Sequence, residues 1–186
     1  MTAASRRAVF FDRDGVLNEA IVRDGKPYSP AGLEEVVIPG DAHEALRRLQ
    51  DAGFVLIGAT NQPEVARGTQ RREIVEAINA TILGRLPLER FFVCYHDDRD
   101  GCDCRKPRPG LLLQAAAEYG IDLPRSFMIG DRWRDVEAGR RAGCQTVHLV
   151  GRHTEEVGSP PDYTAHSLSD AASWILCQST ARGGVR

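Results

Sequence analysis

The chain reads as an α/β protein built on a mostly parallel central sheet, and three observations predict it. Short apolar runs alternate with helix-period segments along the length of the chain, the pattern left by strands joined through crossover helices. Three of the helical segments stop at a glycine, Gly53, Gly120 or Gly143, the residue that most readily leaves a helix in a left-handed conformation. Three of the apolar runs also end in polar residues, as strands do when their carboxyl ends share one ligand-binding edge. With 186 residues and 42% hydrophobic content, one well-buried core is affordable in length and two ordinary domains are not. A single domain over residues 1–178 is expected, followed by a flexible tail over 179–186.

In chain order, strands are expected at residues 8–11, 54–59, 91–94, 127–129 and 146–150. Residues 41–52 read as a helix closed by Gly53, and 70–86 as a helix with Ile74, Ile78 and Ile82 on one face. Pro109 opens a helix over 111–119 at a position where its missing N–H matters little, and Gly120 closes it. A helix over 133–142 ends at Gly143, and a last one over 169–176 packs on the sheet. Beyond it, residues 178–186 are polar and glycine-containing, which predicts fraying. No internal repeat is present.

Charge and cysteine content narrow the function classes. A net charge of -2 and a pI near 6.2, with acids and bases interspersed, leave no basic footprint for nucleic acid. No apolar stretch approaches the ~20 residues that span a bilayer, and residues 1–7 lack the apolar run of a secretion signal. A soluble cytoplasmic protein follows, expected to be monomeric because no long apolar stripe asks for a partner. Five cysteines are an odd number, and three of them, Cys94, Cys102 and Cys104, sit close to His96, which suits a metal site better than a disulfide framework; Cys144 and Cys177, in apolar or helical patterns, are expected to be small buried hydrophobes.

The chemistry concentrates at strand ends. Phe10-Phe11 leads into Asp12-Arg13-Asp14-Gly15, Ile57-Gly58-Ala59 into Thr60-Asn61, and Met128-Ile129-Gly130 into Asp131. Asp12 is suited to attack phosphorus, because a carboxylate nucleophile splits a very slow phosphate-ester hydrolysis into two easier steps. Asp14 can protonate the leaving alcohol and then activate the water that attacks the aspartyl-phosphate. Carboxylates next to a phosphate dianion require added positive charge. Mg²⁺ suits the oxygen set of Asp12, the carbonyl of Asp14, Asp131, phosphate and water, with Asp135 orienting the metal-bound waters from behind. Thr60 can stabilise the equatorial oxygens, Lys106 supplies a point charge and Arg105 a bidentate fork.

Cys94, His96, Cys102 and Cys104 form two tight pairs of soft ligands within one loop, a set that closes a tetrahedral zinc with no open position. Such a site is structural. Its expected work is to hold the loop so that the following Arg105-Lys106 pair meets the phosphate.

Taken together, Asp12-Arg13-Asp14-Gly15-Val16-Leu17-Asn18, Thr60-Asn61, Lys106 and Gly130-Asp131 with Asp135 resemble, in order, the four motifs of the haloacid-dehalogenase (HAD) superfamily. The cysteine-histidine loop running into Cys104-Arg105-Lys106-Pro107 narrows the resemblance to the zinc-containing branch of D-glycero-D-manno-heptose-1,7-bisphosphate 7-phosphatases and histidinol-phosphate phosphatases. The resemblance implies a three-layer Rossmann-like fold with a minimal cap made of loops. It also implies Asp12 as nucleophile, Asp14 as general acid/base, Asp12, Asp14 and Asp131 at Mg²⁺, and Thr60, Arg105 and Lys106 around the phosphoryl group.

For the rest of the substrate, a small phosphorylated metabolite, Asn18, Asn61, Arg67 and Arg132 are the candidate contacts, and the segment 19–30 a candidate mouth. Asn18 and the Arg105-Lys106-Pro107 run followed by Pro109-Gly110 look like the sugar phosphatases, whereas the short loop from His96 to Cys102 looks like the histidinol-phosphate branch. Two other classes share parts of the pattern: a phosphoacceptor signalling domain, which Asp14 argues against because it would hasten loss of the acyl-phosphate, and a non-catalytic binding module.

Overall fold

The computed structural model describes residues 5–23, 26–151 and 158–183. Its strands are β1 (Arg7–Phe11), β2 (Ile21–Arg23), β3 (Lys26–Tyr28), β4 (Phe54–Asn61), β5 (Arg90–Cys94), β6 (Phe127–Gly130), β7 (Gln145–Leu149) and β8 (Tyr163–Ala165). Its helices are α1 (Ala42–Asp51), α2 (Arg72–Leu83), α3 (Gly110–Tyr119), α4 (Trp133–Ala142) and α5 (Leu168–Gly183).

Six strands form one parallel sheet in the order β5-β4-β1-β6-β7-β8. Numbered among themselves, they run 3-2-1-4-5-6, the doubly wound order whose switch point lies beside the first strand. That switch point falls between β1 and β6.

Side chains alternate across the sheet. Val9, Phe11 and Leu56 join a core with Leu46 of α1, Ile78 of α2 and Ile175 of α5. Ala8, Phe10 and Ile57 point the other way, onto Leu111, Leu112 and Ala115 of α3. On this second face α4 lies close, because a Cβ at Gly139 would stand 2.7 Å from Met128 Cβ. The result is the three-layer α/β arrangement expected.

The structure differs from the expected boundaries where the local signal was weakest. β8 is only three residues long, too short to show periodicity, yet Tyr163 stacks on Trp174 at 5.0 Å and seats α5. The segment 19–30 forms the antiparallel hairpin β2–β3, although its residues 24–25 lie outside the description. The helix expected over 169–176 continues to Gly183, into the segment 179–186, of which 184–186 lie outside the description. No proline or glycine interrupts it before Gly183, and Ser179 and Thr180 turn their hydroxyls onto the carbonyls of Ile175 and Cys177 instead of disrupting it. Cys177 on this helix is exposed, contrary to expectation, whereas Cys144 is buried. Among the described residues, no helix is long and apolar enough to cross a membrane.

Candidate active site

The end of β1 is tied to its neighbour, since the Asp12 N–H donates to the Ile129 carbonyl of β6 at 2.9 Å. Asp12 and Asp131 therefore follow adjacent strands at the switch point, where an open parallel sheet presents its ligands. Gly15 passes close against Asp131. Its φ of +91° lies in the region that favours glycine, and a Cβ there would stand 2.1 Å from Asp131 Oδ2.

The turn after Asp12 closes on itself: the Arg13 carbonyl accepts from the N–H groups of Leu17 and Asn18, both at 2.8 Å. Asn18 belongs to this turn and not to the cavity. It is fully buried, its amide donates to the Glu19 carbonyl, and its oxygen accepts from the Val37 N–H, which corrects its assignment as a substrate contact.

Lys106 reaches the same point from the far side of the chain. Its Nζ lies 2.8 Å from Asp12 Oδ1, 2.5 Å from Asp135 Oδ1 and 2.7 Å from the Ala59 carbonyl. Burial works against its charge, but Asp12 and Asp135 hold its pKa above the ordinary lysine value. Asn61 aims it, accepting from the Lys106 N–H at 3.0 Å and donating to the Lys106 carbonyl at 2.9 Å. Asn61 thus acts on the lysine backbone while also lining the cavity.

Asp12, Asp131 and Asp135 each bring one oxygen into a set within 4.8 Å of one another. Asp135, expected behind the metal, stands in the cluster itself, with its other oxygen accepting from the Arg132 N–H at 3.1 Å. Burial, reinforced by the neighbouring carboxylates, pushes the Asp131 pKa up to about 8 and that of Asp135 up to about 6. Asp131 Oδ1 is buried with no hydrogen-bond partner among the described residues. A crowded oxygen set with an orphaned carboxylate oxygen is what a hard divalent cation satisfies.

Asp14 is held differently. Arg13, with no exposed surface, donates from Nε and Nη2 to its two oxygens at 3.0 and 2.9 Å, while Gln62 and Ser29 donate to Oδ2 at 3.0 and 2.9 Å. Burial opposes the charge, but these donors hold the Asp14 carboxyl below its usual range. The remaining reach of Arg13 goes to Asn79 and Gln62. The sequence reading did not single out Arg13, Asn79 or Ser29. The available signal was Asn79, a polar residue on the face of α2 that also buries Val75 and Ile82. Gln62 also donates to Thr60 Oγ1 at 2.9 Å, leaving the threonine hydroxyl hydrogen to face elsewhere.

Asp12, Asp14, Thr60 and Lys106 open into a cavity of about 670 Å³ walled by Pro27 and Tyr28 of the hairpin, Glu64 and Arg67 after β4, and Arg132 and Arg134 at α4. Arg105 lines it too, but its fork rests on Asp98, at 2.8 and 3.3 Å, and on the His96 carbonyl. It therefore stands in the cavity wall, with its guanidinium held by the loop. Arg134 shares Asp98 Oδ1 at 3.0 Å, a contact the sequence did not reveal. Arg67 pairs with both oxygens of Asp97, at 2.7 and 3.0 Å, and Arg132 lies 4.0 Å from Asp131.

The cysteine loop assembles as expected. Among Cys94, His96 Nδ1, Cys102 and Cys104, five of the six pairs of donor atoms lie 3.2–3.7 Å apart and all lie within 4.8 Å, near the edge of about 3.8 Å in a tetrahedron of Zn–S bonds of about 2.3 Å. Four converging soft donors can hold a metal ion. Asp97 caps the turn inside the loop, accepting from the Asp98 N–H at 2.7 Å.

The raised carboxyls set a pH dependence. A carboxyl whose pKa rises on folding makes the folded state hold more protons than the unfolded state, so stability falls as pH rises between about 4 and about 8. A bound divalent cation removes that penalty. Melting in the absence and presence of Mg²⁺ should show a larger increment from the cation at pH 8 than at pH 5; equal increments would contradict this assignment.

Comparison with known proteins agrees with this geometry. Residues 103–171 match the HAD-hydrolase-like family model. The chain is 38% identical to the D-glycero-β-D-manno-heptose-1,7-bisphosphate 7-phosphatase of Pseudomonas aeruginosa, over 92% of this chain and 99% of the relative. Against the corresponding Escherichia coli K12 protein, the identity is 33% over 95% and 97%. Its fold is similar to that of the D,D-heptose 1,7-bisphosphate phosphatase from B. bronchiseptica complexed with magnesium and phosphate, with a TM-score of 0.78, 29% identity, and 92% and 99% of the two chains covered. The chain therefore belongs to the HAD-like phosphatases, in the same family as these heptose-bisphosphate phosphatases.

Proposed function

We propose that this phosphatase hydrolyses D-glycero-D-manno-heptose 1,7-bisphosphate at its 7-phosphate through an aspartyl-phosphate on Asp12. The observation that carries the reading is the convergence of Lys106 Nζ on Asp12, 2.8 Å away, beside Asp131 and Asp135 and at the floor of a cavity with an arginine-rich wall. Lys106 holds one Asp12 oxygen, and the other attacks phosphorus. Asp14, whose carboxyl the bound phosphate dianion pushes back up against the donors that hold it low, gives a proton to the departing alkoxide and later takes one from the attacking water, so that ester and water become alcohol and phosphate. The Thr60 hydroxyl, already accepting from Gln62, donates to a phosphoryl oxygen.

Asp12 and Asp131, with the backbone of Asp14, would hold Mg²⁺, which would supply the positive charge that lets a phosphate dianion approach these carboxylates. Asp135 assists from within the same cluster. The second phosphate of the substrate meets the cavity-lining cations Arg67, Arg105 and Arg132, joined by Arg134. Cys94, His96, Cys102 and Cys104 would hold Zn²⁺, which would fix the segment that carries Asp98 and Arg105. The five cysteines, all free, suit a reducing cytoplasm, and we propose a monomer.

The signalling alternative requires the strand order 2-1-3-4-5 typical of receiver-type folds, whereas this sheet runs 3-2-1-4-5-6. Histidinol phosphate remains the second substrate, favoured by the short loop from His96 to Cys102.

Elemental analysis of the purified protein should find one zinc per chain, with Cys104→Ser losing most of it; a metal-free wild type would refute the loop assignment. The ratio of kcat/KM for heptose bisphosphate to that for histidinol phosphate should exceed about 100, and Asp12→Asn should abolish both activities. A preference for histidinol phosphate would overturn the substrate, and an active Asp12→Asn the nucleophile.

A further inference from the structure

Asp14 draws its partners from two places. Arg13 and Gln62 belong to the strand ends of the core and are buried. Ser29 comes from the segment leaving the β2–β3 hairpin, whose preceding residues Pro27 and Tyr28 wall the cavity. Its Oγ donates to Asp14 Oδ2 at 2.9 Å, and the residue is half-buried. Behind it the chain is pinned, because Gln70 donates to the carbonyls of Pro30 and Ala31, both at 3.2 Å, and Glu35 accepts from the Ala31 N–H at 2.8 Å. Ser29 is thus anchored on one side and continuous with the cavity wall on the other.

We propose that Ser29 is a positioning residue for the acid/base Asp14, linking the wall against which the substrate lies to the carboxylate that protonates its leaving oxygen. The inference rests on the phosphatase reading above. Arg13 fixes the plane of the Asp14 carboxylate through two parallel bonds. Gln62 and Ser29 then approach the same oxygen from the core and from the hairpin. Of the three donors, only Ser29 belongs to the segment that leaves the hairpin. A proton donor must lie within hydrogen-bond reach of the departing oxygen, and small misplacements reduce the rate strongly. A substrate seated against Tyr28 and Pro27 therefore sets the carboxylate through Ser29, which makes protonation depend on the body of the substrate as well as on its phosphate.

Such a role acts on leaving groups that need a proton and much less on those that do not. The test compares wild type, Ser29→Ala and Ser29→Thr, with Mg²⁺ present. One substrate is whichever alkyl ester the wild type turns over fastest among heptose bisphosphate, histidinol phosphate and glycerol 2-phosphate. The other is 4-nitrophenyl phosphate, whose phenolate departs without help. The parameter kcat/KM reports steps up to transfer of the phosphoryl group to Asp12, where protonation of the leaving group is felt.

Ser29→Ala should lower kcat and kcat/KM on the alkyl ester by roughly 10- to 100-fold with KM within about twofold. Its loss of kcat/KM on 4-nitrophenyl phosphate should be at least about fivefold smaller, and Ser29→Thr should recover most of the alkyl activity. Equal losses on both esters, a threonine variant no better than alanine, or a raised KM with kcat intact would each overturn the proposal, the last by making Ser29 a plain substrate contact. A wild type inactive on every ester would overturn the phosphatase reading, and this role with it.

Discussion

Three carboxylates crowd the carboxyl edge of this sheet, each nearly or fully shut away from solvent. At the 4.8 Å bound that relates the oxygens of Asp12, Asp131 and Asp135, each like-charged pair repels by about 3 kcal/mol at an effective dielectric near 20. Much of the architecture manages that repulsion. Lys106 spans Asp12 and Asp135, Asn61 grips the lysine backbone on both sides, and the missing side chain at Gly15 makes room for Asp131. The balance is incomplete without a cation, as the orphaned Asp131 Oδ1 and the raised pKa of its carboxyl indicate. A site short of positive charge is one that recruits a divalent ion and, with it, a phosphate.

The cysteine loop extends the same logic outward. Cys104 is separated from Lys106 by Arg105 alone, so whatever holds the sulfurs also sets where the lysine begins. Within the loop Asp97 engages Arg67 and Asp98 engages Arg105 and Arg134. Three guanidinium groups on the cavity wall are therefore held by carboxylates that the loop presents. Exposed ion pairs contribute little to stability, so these pairs are better understood as devices of orientation. They hold long cationic side chains in the wall of the cavity that Asp12 also lines.

The chemistry was legible in the sequence because parallel sheets place strand ends together. Once Asp12, Thr60 and Asp131 each followed an apolar run, their convergence followed from topology. The cysteine ligands were legible because all four lie within one loop. What escaped was the material that depends on side-chain direction across long separations. Asn18 has the composition of a sugar contact, yet its amide is consumed by the backbone of Glu19 and Val37. Arg105 stands beside the lysine in sequence but turns to Asp98. The partners of Asp14 come from positions 13, 29 and 62, and no local periodicity joins them. The extension of α5 to Gly183 was likewise missed, since polar residues that suggest fraying can satisfy a helix backbone through their own hydroxyls.

The central claim is that Asp12 becomes phosphorylated. Rapid acid quenching of the enzyme with a ³²P-labelled substrate, followed by peptide mapping, tests it most directly. The account predicts an acid-stable, base-labile label on the peptide that carries Asp12, formed within one turnover and absent in Asp12→Asn. A reaction that releases phosphate in its first turnover with no labelled peptide, or with the label on another residue, would contradict it.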